Sequence, residues 1–458
     1  MGIPFRKVSR TRWTGVGLVA ILIFATYGIH LTWPGHRSVQ DSKEQVATEP
    51  WMRPANSLRY PHPLPRARDN LRSESFYVTG FAISGFTNEF IAYMHIIYLG
   101  MFSGRIPIIP PVVPTAHING AAPPILFGTI FNLTHLRSKL RLPILEWSDV
   151  KTPFSNVTAF DDTDPSDPSL ESFGCWSLRQ RSFHLPTEVP ETENVLKLDL
   201  SYTRVPPFTY LDPSNLDGEH TTFGALAALI LPKHPHPESK GQPIMVESRY
   251  GSSIDPTEDE RLSCFDFLYY VAVGVKAFEF EERWSPVWNL VGTHLRFNAG
   301  IVEMARGYVQ RALGVQSGDH IPPMITVHVR RGDFGYQCPP GETYPCFIPL
   351  SKYVSAVEDV RGRLEKKHRV LVDRVLIASD EEDPSFWAEV QQLGWHHINH
   401  TSERTADAMG DWYPIILDKA ALSLGLGFVG TRSSTFSTLT ARRVEDWNDG
   451  ESSFVSWY

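Results

Sequence analysis

The sequence predicts an α/β protein whose parallel sheet is covered by helices on both faces, carried behind a membrane anchor and a polar stem. Three observations predict it. Strand-like runs alternate with helical periodicity from about residue 301 to 443. A strand, a glycine turn and a helical pattern follow one another from Phe76. The N-terminus holds an apolar run long enough to cross a bilayer.

The anchor comes first. Arg6, Lys7, Arg10 and Arg12 precede a stretch from Trp13 to Trp33 with no acidic or basic side chain apart from His30. Cations on the N-terminal side and Trp at both interfaces orient such a segment with 1–12 as a cytosolic tail, 13–33 as a transmembrane signal anchor and the remainder lumenal. A cleaved signal peptide is the alternative; the run is longer than a usual h-region, and no small-x-small cleavage site follows it. Residues 34–72, polar and rich in Pro, Arg and Ser, read as a stem. The 458-residue length and 42% hydrophobic content exclude a disordered chain. A net charge of −8 with no local basic patch excludes nucleic acid as the main partner.

Folded sequence begins near Phe76 with a strand that meets Gly85 and then a helix patterned by Phe90, Tyr93, Met94, Ile97 and Tyr98. Arg105 to Val113 reads as the next strand, ended by prolines. From about 106 to 290, Pro-rich and acidic loops leave no readable architecture. The later half is clearer: an amphipathic helix with Ile301, Ala305, Tyr308, Val309 and Ala312, a buried strand from Met324, a helix over 350–367, a strand from Arg374, a helix around 384–393, a helix through Tyr413, Ile416, Leu417, Ala420 and Leu424, and a short strand from Gly427. Ligands of parallel sheets bind at the carboxyl ends of the strands, which directs attention to three sequences there.

The first is His328-Val-Arg330-Arg331-Gly332. Alternation puts His328 and Arg330 on one face, and Gly332 lets the chain turn close to a ligand. The arginine fork matches two phosphate oxygens; a structural ion pair with a loop carboxylate is the alternative. The second is Ser434-Thr435-Phe436-Ser437 before a helix, where free amides and hydroxyls suit an anion or form an ordinary cap. The third is Ser379-Asp380, whose carboxylate suits a base or ribose or begins an acidic helix. Asp162-Thr-Asp164 imitates a metal-binding pair, yet it lies in an acidic loop with no strand before it. No histidine cluster has metal-site spacing, so no metal is expected.

These elements, in this order, resemble the GDP-fucose protein O-fucosyltransferase family, through His328-Arg330-Gly332 (HxRxG), Ser379-Asp380 and Ser434-Thr435-Phe436-Ser437. Gly85-Phe-Thr-Asn88-Glu89 is similar to the family's N-terminal turn. The resemblance touches about 84–105 and 324–443. It implies a GT-B type fold, two Rossmann-like domains with the donor cleft between them, here 73–295 on the acceptor side and 296–458 binding the nucleotide sugar. It implies inverting transfer of L-fucose from GDP-fucose, the donor substrate, to a hydroxyl of a protein or glycan, with no cofactor. Donor-binding residues would be Gly85, Asn88, His328, Arg330, Gly332, Asp380, Ser434, Thr435 and Phe436, with Arg330 stabilising the leaving diphosphate. Some relatives use a Glu directly before the N-terminal Gly-Phe; here Ser84 stands there, and Glu89 is the nearest carboxylate to serve as base or merely as a cap partner. A transferase for another nucleotide sugar and a non-catalytic binding protein are the alternatives.

The compartment would be the lumen of the Golgi or endoplasmic reticulum, for a single-pass type II membrane protein. Four cysteines are too few for a disulfide scaffold. Cys338 and Cys346 bracket a turn-prone segment and are the preferred pair, leaving Cys175 and Cys264 by elimination, which the sequence does not establish. Asn132, Asn156 and Asn399 head glycosylation sequons usable only in the lumen.

Overall fold

The computed structural model describes residues 49–114, 118–152, 164–179, 185–211, 220–234, 244–250, 261–274, 276, 278–336, 338–341 and 343–457. The predicted anchor at 13–33 and the sequon at Asn156 lie outside them. No helix among the described residues is long and apolar enough to cross a membrane.

The protein is a mixed α/β structure with two parallel-dominated sheets. The first contains β1 (Tyr77–Phe81), β2 (Ile106–Ile109), β3 (Leu145–Glu146), β4 (Glu171–Ser177), β5 (Leu198–Arg204), β6 (Ile244–Val246) and β7 (Leu262–Phe267). Their order is β3-β2-β1-β7-β4-β5-β6, parallel except for the edge strand β6. The second contains β8 (Met324–Val329), β9 (Arg374–Ser379), β10 (His396–His397), β11 (Gly427–Thr431) and β12 (Glu451–Val455), in the order β10-β9-β8-β11-β12 and parallel throughout. Helices over both faces make central strands apolar on both sides, which is why β1, β8 and β11 are buried along their whole length.

Strand order reverses direction next to β1 in the first sheet and between β8 and β11 in the second. At such a switch point neighbouring crossovers leave the sheet on opposite faces and open a crevice at the carboxyl edge. The chain leaving β1 enters Gly85 and helix α1 (Phe86–Ser103); the chain leaving β11 enters Ser434 and, later, helix α6 (Thr435–Asn448). Between them in sequence lie α2 (Ala299–Leu313), α3 (Leu350–His368), α4 (Pro384–Gln392) and α5 (Tyr413–Leu422).

Both halves contribute to one apolar core, in which Phe86 and Phe90 of α1 meet Phe131, Leu295, Ile416, Leu417 and Leu439. Polar contacts reinforce that core. Trp288 donates its indole N–H to Asp446, Trp447 donates to the Thr293 carbonyl at 3.0 Å, and Arg442 donates to the carbonyls of Phe280, Glu282 and Arg283. Disulfides join Cys175 of β4 to Cys264 of β7, and Cys338 to Cys346 in the loop after β8.

Residues 49–72, assigned by composition to the stem, are packed against the first half. Met52, Leu58, Ala67 and Leu71 are buried, and the amides of Ala67 and Arg68 donate to the buried Glu171 carboxylate at 2.7 and 3.0 Å. A few well-placed apolar residues suffice here because a strand end supplies a carboxylate for the orphan amides of a short helix.

Candidate functional site

The chain turns sharply after β8 because its backbone is held from two sides. The Arg330 amide donates to Thr431 Oγ1 at 2.8 Å, tying β8 to the end of β11, and the Arg331 amide donates to Asp380 Oδ1 at 2.7 Å, tying it to the end of β9. A Cβ on Gly332 would come within 2.6 Å of Asp380 Oδ2, so glycine is what allows this approach. Thr431 Oγ1 also lies 2.8 Å from the Tyr353 hydroxyl of α3.

The guanidinium of Arg330 is held between two carboxylates, Nε at 2.8 Å from Asp333 and Nη1 at 2.8 Å from Asp380. This is the ion pair that the sequence offered as the alternative to phosphate binding. Asp333 is the more exposed partner, with 47% of its side chain accessible. Arg331 points the other way, pairs with Glu381 and lies over Phe347 and Phe386.

His328 is buried one residue pair earlier, with Nδ1 at 2.8 Å from Ser437 Oγ and its ring stacked on Phe436 at 4.5 Å. Burial, followed by the nearby charges of Lys419 and Arg330, pushes it well below the usual histidine range, so the ring is neutral at physiological pH. It shapes the site from behind. Phe436 also faces inward, and what it offers a ligand is its backbone N–H in the first turn of α6 rather than its ring.

Ser434 caps α6, its hydroxyl accepting from the Ser437 amide at 3.4 Å. The adjoining Thr435 hydroxyl donates to Asn88 Oδ1 at 2.6 Å, across 347 residues of sequence. Asn88 is in the first turn of α1, behind the capping residue Gly85. The N-terminal ends of an 18-residue helix and a 14-residue helix therefore meet at one hydrogen bond, beside the turn that carries Arg330. Unpaired amides and aligned dipoles give each end partial positive charge, and two such ends together suit a multiply charged anion. Because the amide oxygen of Asn88 faces Thr435, its NH2 group is directed elsewhere and supplies two further donors.

Glu89 is fully buried, with the Tyr93 hydroxyl 3.2 Å from its Oε2. Of the sequon residues, Asn132 caps a helix by accepting from the His135 amide at 2.9 Å, and Asn399 is exposed. Among the described residues no group of three His, Cys, Asp or Glu side chains is placed to hold a metal ion.

Sequence reasoning missed Thr431, Thr87 and Lys419. Lys419 of α5 is fully buried, and its Nζ donates to Thr87 Oγ1 of α1 at 3.0 Å and to the Phe436 carbonyl of α6 at 3.3 Å. The available signal was a lysine inside the run Ile415–Leu422, where apart from the adjoining Asp418 every other residue is apolar.

No family model and no curated protein matches the chain. Among solved structures it is similar to POFUT1 in complex with GDP-fucose, at 13% identity and a TM-score of 0.48, covering 84% of this chain and 98% of that one. POFUT1 in complex with GDP gives 14% identity and a TM-score of 0.47, with 84% and 98% covered. The fucosyltransferase NodZ from Bradyrhizobium gives 12% identity and a TM-score of 0.35, with 81% and 93% covered. At these values the likeness is one of general layout, and the functional reading rests on the residues of this chain.

Proposed function

We propose that the protein is a glycosyltransferase of GT-B type that binds GDP-fucose between its two sheets and transfers L-fucose, with inversion, to a hydroxyl of a protein or glycan in the secretory lumen. The observation that carries this reading is the junction of Asn88 and Thr435, which brings two helix N-termini together beside Arg330 at the switch point of the second sheet. The donor's diphosphate lies across that junction, and Arg330 exchanges the exposed Asp333 for a phosphate oxygen. Each charge-assisted bond formed there contributes about 1.5–3 kcal/mol.

In transfer, the acceptor oxygen attacks the anomeric carbon from the face opposite GDP, the glycosidic C–O bond breaks, and its electron pair passes to the β-phosphate. Arg330, the first amides of α6 and the Asn88 NH2 group stabilise the charge that grows there more than they stabilise the bound donor. These donors take the role a metal ion has in other transferases. The acceptor's proton leaves to a base; Glu89 is the carboxylate of the α1 motif, but it is fully buried with the Tyr93 hydroxyl against it. That burial, with Ser84 before Gly85, favours one second reading, a protein that binds GDP-sugars without transferring them.

The test is a donor panel with the full-length chain, using GDP-fucose, GDP-mannose and UDP-sugars against a mixed glycan and glycoprotein acceptor pool, with chelator present. Transfer from GDP-fucose alone, undiminished by chelator, is expected. Transfer from another donor would replace the sugar, loss of activity in chelator would overturn the metal-free mechanism, and GDP binding without any transfer would favour the second reading.

A further inference from the structure

Lys419 is a cation in a place that does not offset its charge. It is 0% exposed. Its Nζ has two neutral oxygens, on Thr87 and Phe436, and lies 3.8 Å from the centre of the Phe436 ring. Among the described residues no carboxylate pairs with it. The charge that acts on it most is another cation, Arg443 of α6, also 0% exposed. The Nε, Nη1 and Nη2 atoms of Arg443 have no hydrogen-bond partner among the described residues and lie over the rings of Phe297 at 4.7 Å and Trp447 at 5.3 Å. Two desolvated basic groups, Lys419 against the first turns of α1 and α6 and Arg443 further along α6, thus act on one another, and among the described residues no carboxylate pairs with either. Burial and Arg443 together push Lys419 well below the usual lysine range. A buried charge of this kind weakens the fold unless a partner compensates it.

We propose that Lys419 is a positioning residue for the donor diphosphate: it ties the first turn of α1 to the first turn of α6 through Thr87 and Phe436, and the anion bound across those turns balances its charge. The inference rests on the donor-site reading above. It explains why a lysine is buried in a helix whose other buried residues, Ile416, Leu417, Ala420, Ala421 and Leu422, are all apolar, and why its contacts are to first-turn residues of the two helices that meet at the site. Lys419 touches no solvent-facing surface, so it acts through the two turns and through its field, not by contact with the sugar.

The experiment measures binding of GDP and of inorganic pyrophosphate by calorimetry, together with thermal midpoints, for the full-length chain and its Lys419→Met, Lys419→Arg, Thr87→Val and Arg330→Ala variants. Lys419→Met should weaken both probes at least tenfold while its thermal midpoint stays level or rises, because an unbalanced buried charge has gone. Lys419→Arg, which keeps the charge, should bind within about threefold of wild type. Thr87→Val, nearly equal in volume, should bind several-fold more weakly and covers the case in which Lys419→Met does not fold. A residue that only held the fold together would lower the midpoint and leave the affinity of the folded protein unchanged; that result, or unchanged affinity in both Lys419→Met and Thr87→Val, overturns the proposal. If Arg330→Ala loses binding while the Lys419 and Thr87 variants keep it, the donor site stands and only the role of Lys419 falls. If wild type binds neither probe, both fall.

Discussion

Gly430 and Gly332 show how differently one missing methyl group can matter. A Cβ on Gly430 would come within 2.6 Å of both the Phe428 ring and Ser437 Cβ, and 2.8 Å from Ser437 Oγ, all inside the packing of α6 on β11. Nothing there can move cheaply, and Ser437 is the partner of His328. Gly430→Ala should therefore destabilise the protein by about 1–3 kcal/mol, read as a lower midpoint in urea or heat. On Gly332 the same atom would meet Asp380 Oδ2 at 2.6 Å, a carboxylate whose side chain is 26% exposed and can swing away. Gly332→Ala should leave the midpoint within about 1 kcal/mol of wild type while weakening GDP binding, because the displaced Asp380 no longer fixes Arg330. Equal losses of stability in the two variants would contradict this contrast.

Helix α1 carries the N-terminal part of the site on one end and a pH-sensitive anchor in its middle. His95 is buried, its Nδ1–H donates to the Leu268 carbonyl at 2.8 Å, and burial pushes its pKa down to about 4. The unfolded chain takes up that proton near 6.5 and the folded one does not until about 4, so stability falls as pH drops through this window and levels off below it. The full effect is about 3 kcal/mol. His95→Gln should flatten that part of the stability profile, measured by urea unfolding between pH 7 and 4; an unchanged slope would place the titrating group elsewhere. Such elements differ in how readable they are. The α1, α2, α3 and α5 patterns are legible because one face repeats at helical spacing. Strands β4 and β5 are not, since Glu171, Asp199, Ser201 and Thr203 are buried within them and break both the apolar run and the alternation. Their partners come from afar: Glu171 binds amides more than 100 residues away.

At the scale of the whole molecule, two sheets present their switch points to one another through α1 and α6. The residues His328, Arg330, Asp380, Ser434 and Thr435 are legible in the sequence as candidates, because the end of a parallel strand is where ligands of such sheets bind. The Asn88–Thr435 junction and the Lys419–Thr87 contact are not, since they join residues 347 and 332 apart and arise only when both halves have folded together. The packed state of residues 49–72 was likewise hidden behind a polar composition. The central claim is that Arg330 leaves a carboxylate partner to hold a diphosphate at this junction. The most direct test is calorimetric titration of the full-length chain with GDP and UDP, comparing wild type with Arg330→Ala and Arg330→Lys. Wild type should prefer GDP, and both variants should bind at least tenfold more weakly, since a lysine cannot reproduce the two-pronged donor geometry. Unchanged GDP affinity in both would show that Arg330 serves only its ion pairs with Asp333 and Asp380, and would contradict the proposed donor site.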